Sequence, residues 1–266
     1  MIGLIRAEDL DRWASRITSA PEFPRLVRLL VHATARGRRQ IDFPADEAIR
    51  LAGWDGKVMA DEASPFVPDG FSAWELGTGQ DPRTKANDDY EKRTGNSLGV
   101  DRSQATFVFV TPRRWLGRDA WITEKRAEGK WKNVLAFDAE SLTQWLESAP
   151  GVAAWFGPVV GCMPPDSRAL EATCDAFRTA TKPPLDLSGL LIGRDSERAK
   201  LLALLQGPPL AVEISATTVV EAAAFVGACI ESLPEHERDS LWARAIWIDS
   251  SAGLRTIAVS DRQLIV

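Results

Sequence analysis

The run Thr106-Phe107-Val108-Phe109-Val110 carries apolar side chains without alternation. A strand with one wet face alternates apolar and polar residues, so an unbroken run reads as a strand covered on both faces. Covering both faces takes helices, which commits the surrounding chain to an α/β layer architecture. The flanking periodicities agree. Ala7 to Ile17 places Leu10, Trp13, Ala14 and Ile17 at helical spacing. Pro21 opens a second amphipathic helix with Phe23, Leu26, Val27 and Leu30 on one face, closed by Gly37. Ile41 to Pro44 reads as an extended connection. Ala48 to Leu51, Gly56 to Ala60 and Ser72 to Leu76 read as three strands, and Pro82 starts a polar helix through Arg93 that ends at Gly95. A basic segment, a strand Asn133 to Phe137 and a helix Ala139 to Glu147 capped by Asp138 follow. The expected fold is α/β, a mixed central sheet flanked by helices, with a smaller partial α/β region behind it.

Charge and composition exclude more than they identify. The chain has 266 residues and a net charge of −5, so no global basic surface for nucleic acid exists. Locally, Arg113 to Lys132 holds seven basic residues against three acidic ones, and Arg36-Gly37-Arg38-Arg39 adds a second basic spot. Cys162, Cys174 and Cys229 lack metal-ligand spacing and fit reduced, cytoplasmic thiols. No stretch approaches the ~20 apolar residues of a membrane span, and Met1 to Arg6 lacks the apolar run of a signal peptide. His32 and His236 have no partner pattern for catalysis or zinc.

Two acids stand out against this background. Asp55, in Trp54-Asp55-Gly56-Lys57, and Glu75, in Trp74-Glu75-Leu76, fall within apolar, strand-like segments. Strands deplete carboxylates, and an unpaired buried charge is costly. A divalent cation shared by both acids would offset that cost. Mg²⁺ takes one or two carboxylates with waters and a phosphate oxygen, which suits phosphodiester hydrolysis. Asp55 has a second reading as a turn residue, since Asp-Gly is a common hairpin pair. Asp46-Glu47 offers either a further ligand or plain surface.

The order of helix, Asp55 strand, Glu75 strand, helix and further strand resembles the core of the PD-(D/E)xK nuclease superfamily, which includes Mrr-type restriction enzymes and antiphage effectors. The resemblance covers residues 21–111 and implies a restriction-endonuclease-like fold and a metal-dependent endonuclease cutting DNA, with RNA also open. It implies that Asp55 and Glu75 bind Mg²⁺ or Mn²⁺. The family's lysine belongs two residues after the Glu, where this chain has Gly77. Some members carry a migrated lysine on the next helix, and Lys85 stands there. Its other reading is an exposed helix residue; Gln80 is a weaker substitute. The departure at Gly77 leaves open a catalytically degenerate nuclease fold that only binds nucleic acid or a partner.

Arg113, Arg114, Lys125 and Lys132 are the candidates for gripping a phosphate backbone. Trp115, Trp121 and Trp131 are interleaved with them and read either as base-stacking platforms or as core. On the polar helix, Arg93 is expected to pair with Asp89 at i,i+4 and Tyr90 to pack.

Residues 1–160 are expected to form the nuclease domain, 161–188 a Pro-rich helical linker, and 189–266 a partial α/β region. In the linker a helix runs from Asp166 to Ala180. In the last region a helix to Leu205, a strand Leu210 to Ile214, a helix Val219 to Ile230 and a strand Ala245 to Ile248 are expected. Leu191-Ile192-Gly193-Arg194-Asp195-Ser196-Glu197 resembles the approach to STAND-type and AAA-like ATPase domains. The phosphate loop that should follow reads Ser215-Ala216-Thr217-Thr218, without glycine or lysine, which argues against nucleotide hydrolysis. A homo-oligomer, or a longer polypeptide of which this is the front piece, serving bacterial defence, completes the expectation.

Overall fold

The structure is a computed structural model that describes residues 5–44, 53–162, 166–208, 211–256 and 264–266. The chain divides into two compact units, residues 2–148 and 149–266.

The first unit is built on a five-stranded mixed sheet in the order β1 (Arg36–Asp42), β2 (Gly56–Glu62), β3 (Gly70–Leu76), β4 (Ala105–Val110) and β5 (Asn133–Phe137). β1, β2 and β3 pair antiparallel; β3, β4 and β5 pair parallel. Every residue of β4 is buried, as the unbroken apolar run requires. Alternation along β3 divides the two layers. Trp74 faces one way, within 6.4 Å of Phe137 and 6.2 Å of Trp145 between ring centroids. Trp145 lies on α5 (Ala139–Glu147), and its indole N–H donates to Thr34 of α2 (Ser19–Thr34) at 2.8 Å. α1 (Ala7–Ala14) packs against α2 and α5 in the same layer.

Ala73 faces the opposite way and joins a core with Ala86 and Tyr90 of α3 (Pro82–Gly95) and Trp121 of α4 (Arg118–Ala127). α3 starts where Pro82 predicts. Asp81 caps it, accepting from the Thr84 N–H at 3.0 Å. Asp138 caps α5 in the same way.

Several expectations need correction. α2 ends at Thr34 rather than at Gly37, and Arg36 to Asp42 forms β1. Among the described residues β1 is an edge strand, paired with β2 alone. The basic segment after β4 contains a helix, α4. The expected strand Ala48 to Leu51, and Glu47, lie outside the described residues.

The second unit holds α6 (Pro150–Val160), which lies ahead of the expected boundary at 160, and a small sheet in the order β6 (Ser167–Ala169), β7 (Ala245–Ile248) and β8 (Leu264–Ile265). The helix expected from Asp166 is instead β6 followed by α7 (Leu170–Arg178). α9 (Val219–Glu231) is the central element. Its residues Ala223 to Ile230 are buried against α7, α8 (Asp195–Gln206) and α10 (Glu235–Arg244). Gly227 lets α9 approach closely, because a Cβ there would collide with the Cys174 thiol and with the Trp242 ring. The strand expected at Leu210 to Ile214 does not form among residues 211–214, where Val212 and Ile214 are exposed. No helix among the described residues is long and apolar enough to cross a membrane.

Candidate active site

Asp55 immediately precedes β2, and the antiparallel pairing of Gly56 with Trp74 sets it beside Glu75 and Leu76. Its carboxylate Oδ2 accepts the Leu76 N–H at 2.8 Å. Glu75 points to the α3 side of the sheet and is only 3% exposed. Arg93 of α3 donates its Nε–H to Glu75 Oε1 and its Nη2 to the Gly53 carbonyl. The guanidinium also lies 4.7 Å from the centroid of the Trp54 ring. Arg93 therefore pairs with Glu75 and not with Asp89 as the helical spacing suggested.

Asp89 instead takes Lys85, whose Nζ lies 2.8 Å from Asp89 Oδ1. Asp89 is 3% exposed, and its Oδ2 is buried with no hydrogen-bond partner among the described residues. Five charged groups, Asp55, Glu75, Lys85, Asp89 and Arg93, thus converge at one place between β3 and α3. Three are acids and two are bases.

The electrostatics follow from that imbalance. Burial pushes the Glu75 carboxyl up to about 8, and the Asp55 charge pushes the same way, against the pull of the Arg93 hydrogen bond. Burial also raises Asp89, with the Lys85 contact opposing and Asp55 adding. Burial pulls Lys85 down, but the hydrogen bond and charge of Asp89, with Glu75 and Asp55 behind it, hold the ammonium above the ordinary lysine range. Lys85 is therefore a permanent cation that feels both candidate ligands.

Gly77 and Lys85 are linked sterically. A Cβ at Gly77 would meet Lys85 Cγ at 2.8 Å and Phe109 Cζ at 3.1 Å. The Lys85 stem thus fills the space in which a side chain at 77 would begin. Residue 77 lies two positions after Glu75, on the same face by strand alternation. Gln80 is exposed in the loop before α3.

The site offers two carboxylates, Asp55 and Glu75, which are oxygen donors of the kind a hard divalent cation takes. Among the described residues no protein donor meets the second oxygen of either carboxylate, Asp55 Oδ1 or Glu75 Oε2. No group of three or more His, Cys, Asp or Glu side chains assembles as a metal site among those residues. The candidate centre therefore rests on two carboxylates, a number Mg²⁺ accepts when waters and phosphate oxygens complete its shell.

The candidate backbone-binding residues divide. Arg113 is buried, donating to the carbonyls of Thr78 at 3.0 Å and Asp11 at 2.8 Å and to Ser15 Oγ at 2.8 Å. It ties α1 to the ends of β3 and β4 and has no face left for a phosphate. Lys125 is also buried, held by Glu128 at 2.8 Å and lying over the Tyr90 ring. Arg114 is half-exposed between Glu8 and Glu140. Lys132 is exposed, with no ion pair among the described residues. Trp115, Trp121 and Trp131 are all buried, so they are core and not stacking platforms. Tyr90 packs as expected.

In the second unit a cavity of about 620 Å³ lies between α8, α9 and residues 212–217. Arg194 borders it but is already paired with Glu221 at 3.1 Å. The segment 215–218 contributes no glycine to bring backbone N–H groups onto a phosphate. Burial raises the Cys174 and Cys229 thiols to about 12 and 11, which makes both inert at neutral pH.

Comparisons with family models, with curated proteins and with solved structures returned no match for this chain.

Proposed function

We propose that residues 2–148 form a metal-dependent endonuclease of the PD-(D/E)xK type that hydrolyses DNA phosphodiester bonds. The observation that carries the reading is the Gly77–Lys85 exchange. The position that holds the family's lysine is empty of side chain, and a lysine from the next helix runs through that space beside both acids. The strand order and the helix between the Glu75 strand and β4 support the restriction-endonuclease-like fold.

In this reading Asp55 and Glu75 hold Mg²⁺ or Mn²⁺. Such an ion supplies charge stabilisation to the phosphate and a lower pKa to its bound water. Lys85 orients the attacking water and offsets charge developing on the phosphate oxygens. Asp89 holds the Lys85 ammonium in position through its hydrogen bond. Arg114 and Lys132 are the remaining exposed cations for the backbone. By the same resemblance the protein acts in bacterial defence.

Incubation of the protein with supercoiled plasmid and Mg²⁺, Mn²⁺ or EDTA tests this, with Glu75→Ala alongside. Metal-dependent nicking lost in the variant is the expected result; nicking retained in a folded Glu75→Ala protein sinks the assignment. A second reading has one observation in its favour. Glu75 is already buried and hydrogen-bonded to Arg93, as in a nuclease fold that has lost catalysis and only binds DNA. Binding of plasmid without cutting under any metal condition would select it.

A further inference from the structure

We infer that Arg93 is the positioning residue of this site, fixing the two candidate metal ligands relative to each other. The inference rests on the nuclease reading above and adds a role to a residue outside its motif. Arg93 is buried on α3, yet its guanidinium reaches both β3, which carries Glu75, and the segment before β2, which carries Asp55. Nε–H holds Glu75 Oε1 on β3, and Nη2 holds the carbonyl of Gly53, two residues ahead of Asp55. Trp54, the residue between Gly53 and Asp55, supplies the aromatic face under the guanidinium. The return link is the Asp55 carboxylate accepting from the N–H of Leu76, next to Glu75. Asp55, Leu76, Glu75, Arg93 and Gly53 therefore form one closed chain of contacts.

The closure has a chemical consequence. Each acid spends one oxygen inside the ring and keeps the other out of it, so the ring restricts how the two carboxylates can turn relative to each other. Without Arg93, Glu75 would lose the hydrogen bond that fixes its carboxyl, and the 53–55 segment would lose its side-chain link to α3. A guanidinium donates along two directions while lying flat on an indole. An ammonium at the same place is a point charge that makes one of these contacts well. Arg93→Lys keeps the charge that a buried carboxylate needs but not the fork that spaces the ligands.

The test is a Mn²⁺ titration of wild type, Arg93→Lys and Arg93→Gln, read as the metal concentration at half of the melting-temperature rise. The metal dependence of plasmid nicking is measured in parallel. Circular dichroism first establishes which variants fold. A folded Arg93→Lys protein is expected to need at least tenfold more Mn²⁺ in both assays, and Arg93→Gln more again, with rates partly recovered at saturating metal. An unchanged Mn²⁺ midpoint in a folded variant overturns the positioning role. So does failure of both variants to fold, which assigns Arg93 to the core. Wild type that neither cuts nor responds to Mn²⁺ removes the nuclease reading itself, a result distinct from either.

Discussion

If Lys85 has taken over from residue 77, moving the amine back along the structure should be possible. Gly77→Lys alone is expected to fail. Its Cβ would sit 2.8 Å from Lys85 Cγ, an atom near the root of that side chain that cannot swing aside cheaply. Overpacking of this kind costs about 1–3 kcal/mol and would displace the Lys85 amine. Lys85→Ala removes the obstruction and leaves only Phe109, whose nearest ring atoms at 3.1 and 3.3 Å need yield a few tenths of an ångström. It also strands the buried Asp89, so the series belongs in an Asp89→Asn background. There, Lys85→Ala should lower plasmid cleavage by roughly 10²–10³-fold, the range for removing one group that stabilises transition-state charge. Adding Gly77→Lys should recover at least tenfold, since residue 77 shares the Glu75 face of β3. Initial rates of supercoil nicking at saturating Mn²⁺ measure this, with melting temperatures to confirm folding. A folded Lys85→Ala protein that cuts at the starting rate, or a folded double variant no better than Lys85→Ala, refutes the exchange.

Glu75→Gln should change how stability depends on pH. The wild-type carboxyl titrates at about 8 in the folded protein against 4.5 for the unfolded chain. Between those values the native state holds a proton the unfolded state has released, so stability is full below about pH 4.5 and falls until pH 8. At ~1.4 kcal/mol per pH unit the loss is on the order of 5 kcal/mol. Urea unfolding in EDTA at pH 5 and pH 9 should show wild type losing about 4 kcal/mol more than Glu75→Gln; parallel losses contradict it. The same titration predicts tighter Mn²⁺ binding at pH 8.5 than at pH 6.5, with proton release on binding measurable by calorimetry in two buffers. Arg113→Met should destabilise by about 2–4 kcal/mol through its stranded carbonyl partners, leaving the salt dependence of DNA binding unchanged. Lys132→Ala should reduce that salt slope by about one, the value for one phosphate contact.

The layer architecture was legible because β4 has no polar face and because Pro82 and Asp138 mark helix starts in the residues themselves. β1 was not legible, since an edge strand carrying Arg36, Gln40 and Asp42 has no apolar alternation to announce it. The strand expected at 210–214 had the right composition but lacks a hydrogen-bonding neighbour among the described residues, and composition alone does not make a strand. At the site, Asp55, Glu75 and Lys85 lie near one another, although the spacing of Asp55 and Glu75 in the chain is by itself unspecific. Arg93 was assigned to the wrong acid because i,i+4 spacing permits Asp89–Arg93 as readily as Lys85–Asp89. Lys85, Asp89 and Arg93 form one charged stripe beside the small apolar stripe of Ala86 and Tyr90. A helix with so little apolar surface buries part of its charged stripe when the sheet beneath it offers charges in return. The basic run from Arg113 to Lys132 misled in the other direction, because net charge does not tell an exposed cation from one that ties loops together.

The central claim is that Asp55 and Glu75 share a divalent cation, and crystals soaked in Mn²⁺ test it most directly. An anomalous difference map should place a single strong peak at the Asp55 and Glu75 carboxylates, and the peak should vanish in Glu75→Gln crystals. A map with no peak there at saturating Mn²⁺, the Arg93–Glu75 pair intact, would contradict the account.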